Sequence, residues 1–168
     1  SEMCIRDRHI KKIFGGITIS HIYEKIEPHK RFRRLQYQIE FSDEGKPELY
    51  VKVLNDEEDG VVPELFFSSA QLNAVALSVF LGGALSSYNS KVKTIFIDDP
   101  IGHFDDLNVL SFIDVIRTII SETDWQIIIS THEENFYEIM KVKLNPQYYN
   151  SKFLVFKDEG IVVEDEVM

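Results

Sequence analysis

Apolar residues recur along this chain in two rhythms, and the switching between them predicts its elements. In residues 9–27, HIKKIFGGITISHIYEKIE, the positions Ile19, Ile22, Tyr23 and Ile26 stand three and four apart, as on one face of a helix. The Gly15-Gly16 pair weakens the part before it, and Pro28 closes it. The period then drops to two. Leu35, Tyr37, Ile39 and Phe41 alternate with polar residues, and so do Leu49, Val51 and Val53. With SDEGKP between them, these two runs predict a β-hairpin. The acidic run NDEEDG, residues 55–60, predicts a solvated loop.

The helical rhythm returns in SAQLNAVALSVFLGGAL, with Ser68 or Ser69 as its cap. It is apolar on most faces, which predicts burial. KTIFID is short, apolar and rich in β-branched residues, as expected of a parallel strand covered on both faces. LNVLSFIDVIRTIISE reads as an amphipathic helix, WQIIIST as a second buried strand and HEENFYEIMKVK as a helix. KFLVFKDEGIVVEDE reads as a terminal hairpin turning at Asp158-Glu159-Gly160. Strands alternating with helices predict an α/β fold with a mostly parallel sheet.

Composition narrows the class. The 168 residues suit one domain or one lobe, and 44% hydrophobic with 12% aromatic residues is enough for a real core. The net charge of −10 argues against a surface that is wholly a nucleic-acid footprint, though not against a local basic patch. The single cysteine, Cys4, excludes a disulfide framework or a complete zinc motif. With no apolar run long enough to span a bilayer, the expectation is a soluble, cytoplasmic protein without membrane contact. The opening residues 1–8, SEMCIRDR, match the translation of a transposase adapter end used in sequencing libraries. They are expected to be an artefact, with the natural chain continuing upstream.

The acids carry the candidate chemistry. Asp98 and Asp99 stand at the end of the strand KTIFID, and His132 stands at the end of the next. In a parallel α/β sheet, ligands bind beyond such strand ends. Mg²⁺ keeps most of its waters and needs only one or two carboxylates when phosphates supply the rest. A neighbouring carboxylate can orient or deprotonate an attacking water.

Order and spacing add a resemblance. FSSAQ (residues 67–71), IFIDD (95–99), GHFDD (102–106) and Thr131-His132 resemble, in sequence, the signature, Walker B, D-loop and switch histidine of ABC-type ATPase heads. The chain is most similar to the coiled-coil SMC and SbcC-type ATPases of chromosomes and repair. The resemblance covers about residues 65–165. It implies the C-terminal half of a P-loop NTPase head, with mostly parallel core strands, an N-terminal hairpin and a C-terminal hairpin. Residues 9–28 would be the stump of a returning coil, and 29–168 the lobe.

The resemblance also implies roles. Ser68, with Ser69 and Gln71, would face the ATP γ-phosphate held by a second, opposing head. Asp98 would hold Mg²⁺, generally through water. Asp99 stands where the family more often has a catalytic glutamate, and His132 would contact the γ-phosphate. Asp105 would be the D-loop acid that communicates across the dimer, and Asp106 the cap of the following helix. Ala70 departs from the second signature glycine. No G-x-x-x-x-G-K-[ST] occurs, and Gly45-Lys46 is followed by Pro47 in a turn. The phosphate loop would lie in a missing N-terminal lobe, a required partner.

HKRFRR, residues 29–34, is the one dense basic cluster. Its cations could contact DNA phosphates near the coil, or pair with the acidic lobe. Phe66 and Phe67 are expected beneath the signature loop, and Trp125 in the core or at the strand edge. A nuclease subunit is a candidate partner. The expected activity is Mg²⁺-dependent ATP hydrolysis serving DNA repair, chromosome maintenance or phage defence. Two competing readings stand beside it. One is a degenerate head kept for dimerisation or partner binding. The other is a phosphatase or nuclease that holds metal directly on Asp98, Asp99, Asp105 and His132.

Overall fold

The computed structural model describes residues 16–27, 30–41, 45–86, 91–157 and 160–165. The expectations for residues 1–15, Pro28, His29, Asp158 and Glu159 lie outside them. Helix α1 (Gly16–Ile26) leads into an antiparallel sheet of β1 (Arg34–Phe41), β2 (Pro47–Leu54) and the short β3 (Gly60–Val61). One helical turn, α2 (Pro63–Phe66), precedes the long α3 (Ser69–Leu85). Then β4 (Thr94–Asp98), α4 (Asp106–Glu122), β5 (Gln126–Ser130) and α5 (Glu134–Lys143) alternate. The hairpin of β6 (Leu154–Phe156) and β7 (Val162–Glu164) follows. Strands β4 and β5 pair in parallel, from Thr94 opposite Gln126 to Asp98 opposite Ser130. The helix between them makes this a βαβ unit. Two elements, β3 and α2, are too short to carry a period and had no counterpart in the sequence reading.

The core is organised around α1. Ile19, Ile22, Tyr23 and Ile26 are all buried, as their helical spacing requires, and α1 packs on α3, α4 and β1. The approach to α3 is close: a Cβ on Gly82 would lie 2.1 Å from Ile19 Cγ1 and 3.2 Å from Ile19 Cα. The Ser20 hydroxyl donates to Leu35 O (3.0 Å) and accepts from Leu35 N (3.2 Å), fastening α1 to the hairpin. Burial pushes the Tyr23 phenol well above its ordinary value, and the Glu27 carboxylate adds to the rise.

The parallel pair has one covered face. Ile95 and Ile97 join Phe112, Ile113 and Ile116 in the core. On the other face Phe96 is 68% exposed and Ile128 42% exposed. The expectation of cover on both faces is therefore corrected: these residues pack on one side only, while the composition is that of a strand buried on two. Trp125 is half-buried against the core, as expected. No helix among the described residues is long and apolar enough to cross a membrane.

Candidate functional site

The start of α3 is built by a reciprocal capping box. Ser68 is extended (φ −68°, ψ 165°), and its hydroxyl accepts from Gln71 N at 3.3 Å. The Gln71 side-chain oxygen accepts from Ser68 N at 3.0 Å. Two otherwise orphaned amides are satisfied, and the serine's own hydrogen remains available to a ligand. Ser69 and Ala70 lie inside the first turn. Phe67 anchors this end by ring contact with Phe32, 6.3 Å between centroids. Phe66 does not join it; it is 69% exposed, because buried Pro63 takes the inward position of α2.

A carboxylate that the sequence reading passed over lies behind this cap. Glu27 Oε1 is 3.5 Å from Gln71 Nε2, and Glu27 Oε2 accepts from Asn108 Nδ2 at 2.8 Å. Asn108 Nδ2 also donates to Ile26 O at 2.8 Å, within the core. One acid at the end of α1 thus touches the first turns of α3 and α4. These residues stand 44 and 81 positions away in sequence, so no local pattern could join them.

The second group sits at the carboxyl ends of β4 and β5. Asp98 is the last residue of β4, and the Ser130 hydroxyl opposite donates to Asp98 Oδ1 at 2.5 Å. Asp99 extends the ladder by one bond, its N–H donating to Ser130 O at 2.8 Å, then turns into the left-handed region with φ +46°. Aspartate tolerates that region better than most residues. The turn aims the Asp99 carboxylate at β5: Oδ1 accepts from the Thr131 hydroxyl at 3.3 Å, and Oδ2 lies 3.1 Å from His132 Nδ1. His132 Nε2, the other ring nitrogen, lies 3.7 Å from Glu133 Oε1. The Thr131 hydroxyl also accepts from Glu133 N at 3.1 Å, setting the entry to α5. Asp99, His103, Asp106, Glu133 and Asn135 line a crevice of ≈ 230 Å³ beside this group.

Asp105 caps α4: its Oδ1 accepts from Asn108 N at 2.8 Å. The capping role expected of Asp106 belongs to Asp105, and Asp106 occupies the first turn. Among the described residues, no three of His, Cys, Asp and Glu converge to hold a metal. The arrangement fits a less demanding donor set. Asp98 offers one carboxylate, oriented by Ser130, which suits an ion that takes its remaining ligands from water and phosphate.

The basic cluster folds partly back on the lobe. The Arg31 guanidinium lies 5.5 Å from the Phe32 ring centroid, and Arg34 donates to Asn55 O at 3.3 Å. Asn55 organises the acidic loop, its side-chain oxygen accepting from Glu57 N (3.0 Å) and Asp59 N (2.8 Å).

Ser68, Ser69 and Gln71 thus form one group, and Asp98, Asp99 and His132 another. No family model matches the chain. The uncharacterized chromosomal cassette SCCmec type IVc protein CR006 of Staphylococcus aureus is 26% identical over 145 residues, 84% of this chain. An anticodon nuclease of Escherichia coli is 25% identical over 127 residues, 73% of this chain. The chain spans 19% and 32% of the length of these two relatives. Among solved structures, one from work on ATP-driven dimerization and DNA-stimulated activation of SMC ATPases superposes with a TM-score of 0.66 at 17% identity, covering 98% of this chain and 90% of that one. An Smc head bound to the C-winged helix domain of ScpA matches at 0.62, with 19% identity, 92% of this chain and 43% of that one. An Smc head domain derived from Pyrococcus yayanosii also reaches 0.62, with 18% identity, 95% of this chain and 28% of that one. This chain has the α/β fold of an SMC-type ATPase head domain.

Proposed function

We propose that the chain is the C-terminal lobe of an ATP-hydrolysing head of the SMC/SbcC type, completed by an N-terminal lobe that carries the phosphate loop. The observation that carries this reading is the gathering of Asp98, Asp99, Ser130, Thr131 and His132 at the carboxyl ends of one parallel strand pair. The bare face with Phe96 and Ile128 supports the need for a second lobe, since parallel sheets are covered on both faces.

Each side chain then has a task. The Ser68 hydroxyl and the free amides of α3 receive the γ-phosphate presented by a second head, where a helix N-terminus favours an anion. Asp98 holds the Mg²⁺ water shell, with Ser130 fixing its carboxylate. Bound Mg²⁺ supplies charge neutralisation on the phosphates. Asp99 orients the attacking water and accepts its proton. His132 turns Nε2 to the γ-phosphate while Nδ1 stays on Asp99. Release of phosphate separates the two heads. Domain limits follow the same reading: residues 9–28 end a coil, and 29–168 form the lobe.

The output of the whole protein acts on nucleic acid in the cytoplasm, in repair, chromosome maintenance or phage defence. The likeness to an anticodon nuclease favours a nuclease partner or domain, with RNA beside DNA as its substrate. The test is Mg²⁺-dependent ATP hydrolysis by the full-length protein, with and without DNA or tRNA, beside Asp99→Asn. Turnover that collapses in Asp99→Asn upholds the reading. A protein with a phosphate loop and no turnover is a degenerate assembly head. A full-length sequence without a phosphate loop refutes the mechanism.

A further inference from the structure

We propose that Asn73 is a positioning residue that ties α3 to the turn carrying Asp99, so that the phosphate-facing helix and the acid of the same head move together. The catalytic half of this inference rests on the proposed ATPase reading. The structural half stands on geometry.

Asn73 sits in α3, five residues after the cap Ser68, or about 7.5 Å along the axis. Its side-chain amide donates to Pro100 O at 2.8 Å and to Gly102 O at 3.0 Å. An amide NH₂ has two hydrogens, and both are spent on one turn. Asparagine is a poor residue inside a helix, and here it interrupts a run of alanine, leucine and valine. The cost has a local return in these two bonds.

The turn needs the help. Asp99 and His103, at its two ends, both have positive φ (46° and 69°), which non-glycine residues adopt at a cost. Pro100 has no N–H to contribute. The backbone bonds that hold the turn are Asp99 N to Ser130 O and Phe104 N to Ile101 O. Asn73 adds two more from a different element, just past the residue whose carboxylate faces Thr131 and His132. A shift of α3 on engaging a partner's phosphate is therefore passed to the Asp99 backbone through a segment of fewer than two helical turns.

The test uses the full-length protein with Asn73→Asp, Asn73→Ala, Asp99→Asn and each double variant. Asn73→Asp keeps the shape and turns a donor into an acceptor facing two carbonyls. The expected result is a fall in kcat of roughly 10- to 100-fold, with KM for Mg-ATP within about twofold, as for misplacement of a catalytic group. Amide exchange in residues 99–104 should rise roughly tenfold. In the Asp99→Asn background, Asn73→Asp should add no further loss of turnover. Unchanged exchange in both variants overturns the tether. A loosened turn with kcat within about twofold of the parent, or losses that multiply with Asp99→Asn, overturns the catalytic link. Should the parent hydrolyse no ATP, the ATPase reading fails and the exchange measurement alone decides the tether. Circular dichroism identifies a variant that fails to fold, in which case Asn73→Ala carries the comparison.

Discussion

On the proposed reading Ser68 has two duties, and two substitutions separate them. Its hydroxyl caps α3 through Gln71 N, and on the proposed reading it also meets the phosphate of a second head. Ser68→Ala removes both. The lost cap is worth about 1 kcal/mol, which lowers Tm by about 2–4 °C in a domain of this size. Ser68→Asp removes only one, because aspartate caps as well as serine and its charge suits the positive end of the helix. Its melting temperature should match the parent's or exceed it. At the phosphate, however, the new carboxylate meets a like charge. At about 4 Å that repulsion costs roughly 1 kcal/mol in bulk water and about 4 kcal/mol at the effective dielectric of a protein surface. The ATP-dependent dimer should weaken by between about fivefold and a thousandfold. The assays are thermal denaturation and sedimentation velocity with Mg-ATP, in the Asp99→Asn background to slow turnover. A Ser68→Asp protein that dimerises like its parent would falsify the phosphate contact. One that melts as early as Ser68→Ala would show that the box, and not the phosphate, was misread.

Three further outcomes follow from packing and charge. Gly82→Ala forces a methyl to within 2.1 Å of Ile19 Cγ1 with backbone at 3.2 Å, so overpacking of roughly 1–3 kcal/mol should outweigh the helix-propensity gain of up to about 1 kcal/mol. Urea denaturation reads the difference, and a variant as stable as the parent refutes the close contact. Asn108→Leu strips the donor from Ile26 O and the Glu27 carboxylate, costing roughly 1–3 kcal/mol, and a double-mutant cycle with Glu27→Gln should show coupling above about 0.5 kcal/mol. The terminal hairpin is tethered by Asp165, which accepts from Lys141 and Tyr137. Hydrogen bonding to Lys141, then to Tyr137, holds the Asp165 carboxyl below its ordinary value, so this tether is present above about pH 4 and is lost as the pH falls through the lowered value. Burial, then Asp165, pushes the Tyr137 phenol up to about 12; its contribution is complete below its ordinary value near 10 and fades as the pH rises towards 12. Amide exchange across residues 154–164 against pH should show protection lost at both ends, and flat protection would refute the tether.

What the sequence made legible was local. A cap at Ser68 or Ser69 was legible from the serine pair before an apolar helical run, and the bonds to Gln71 settle it on Ser68. The strands KTIFID and WQIIIST were visible through their β-branched runs, and their ends placed Asp98, Asp99 and His132 together. What failed turned on single positions or long separations. Asp105 and Asp106 are adjacent acids before one helix, and only the backbone angles decide which one caps. Phe66 and Phe67 are equally apolar, and the single turn of α2 decides which faces in. The Glu27–Asn108 bond and the Asn73 clamp join residues far apart in the chain, where periodicity carries no signal. The bare face of β4 and β5 was hidden because composition reports what a strand can bury, not what this stretch of chain supplies.

That bare face also governs how the lobe behaves in a test tube. Among the described residues β5 pairs with β4 alone, so one row of its backbone donors and acceptors lacks a strand beside it. Ile128 of β5 and Phe96 of β4 stand on the bare face beside that edge, so apolar surface adjoins the unpaired row. Such an edge is a template for stacking copies of itself. Produced in isolation, this stretch should precipitate at modest concentration, and on the proposed reading co-expression with the N-terminal lobe should rescue its yield more than any change of buffer.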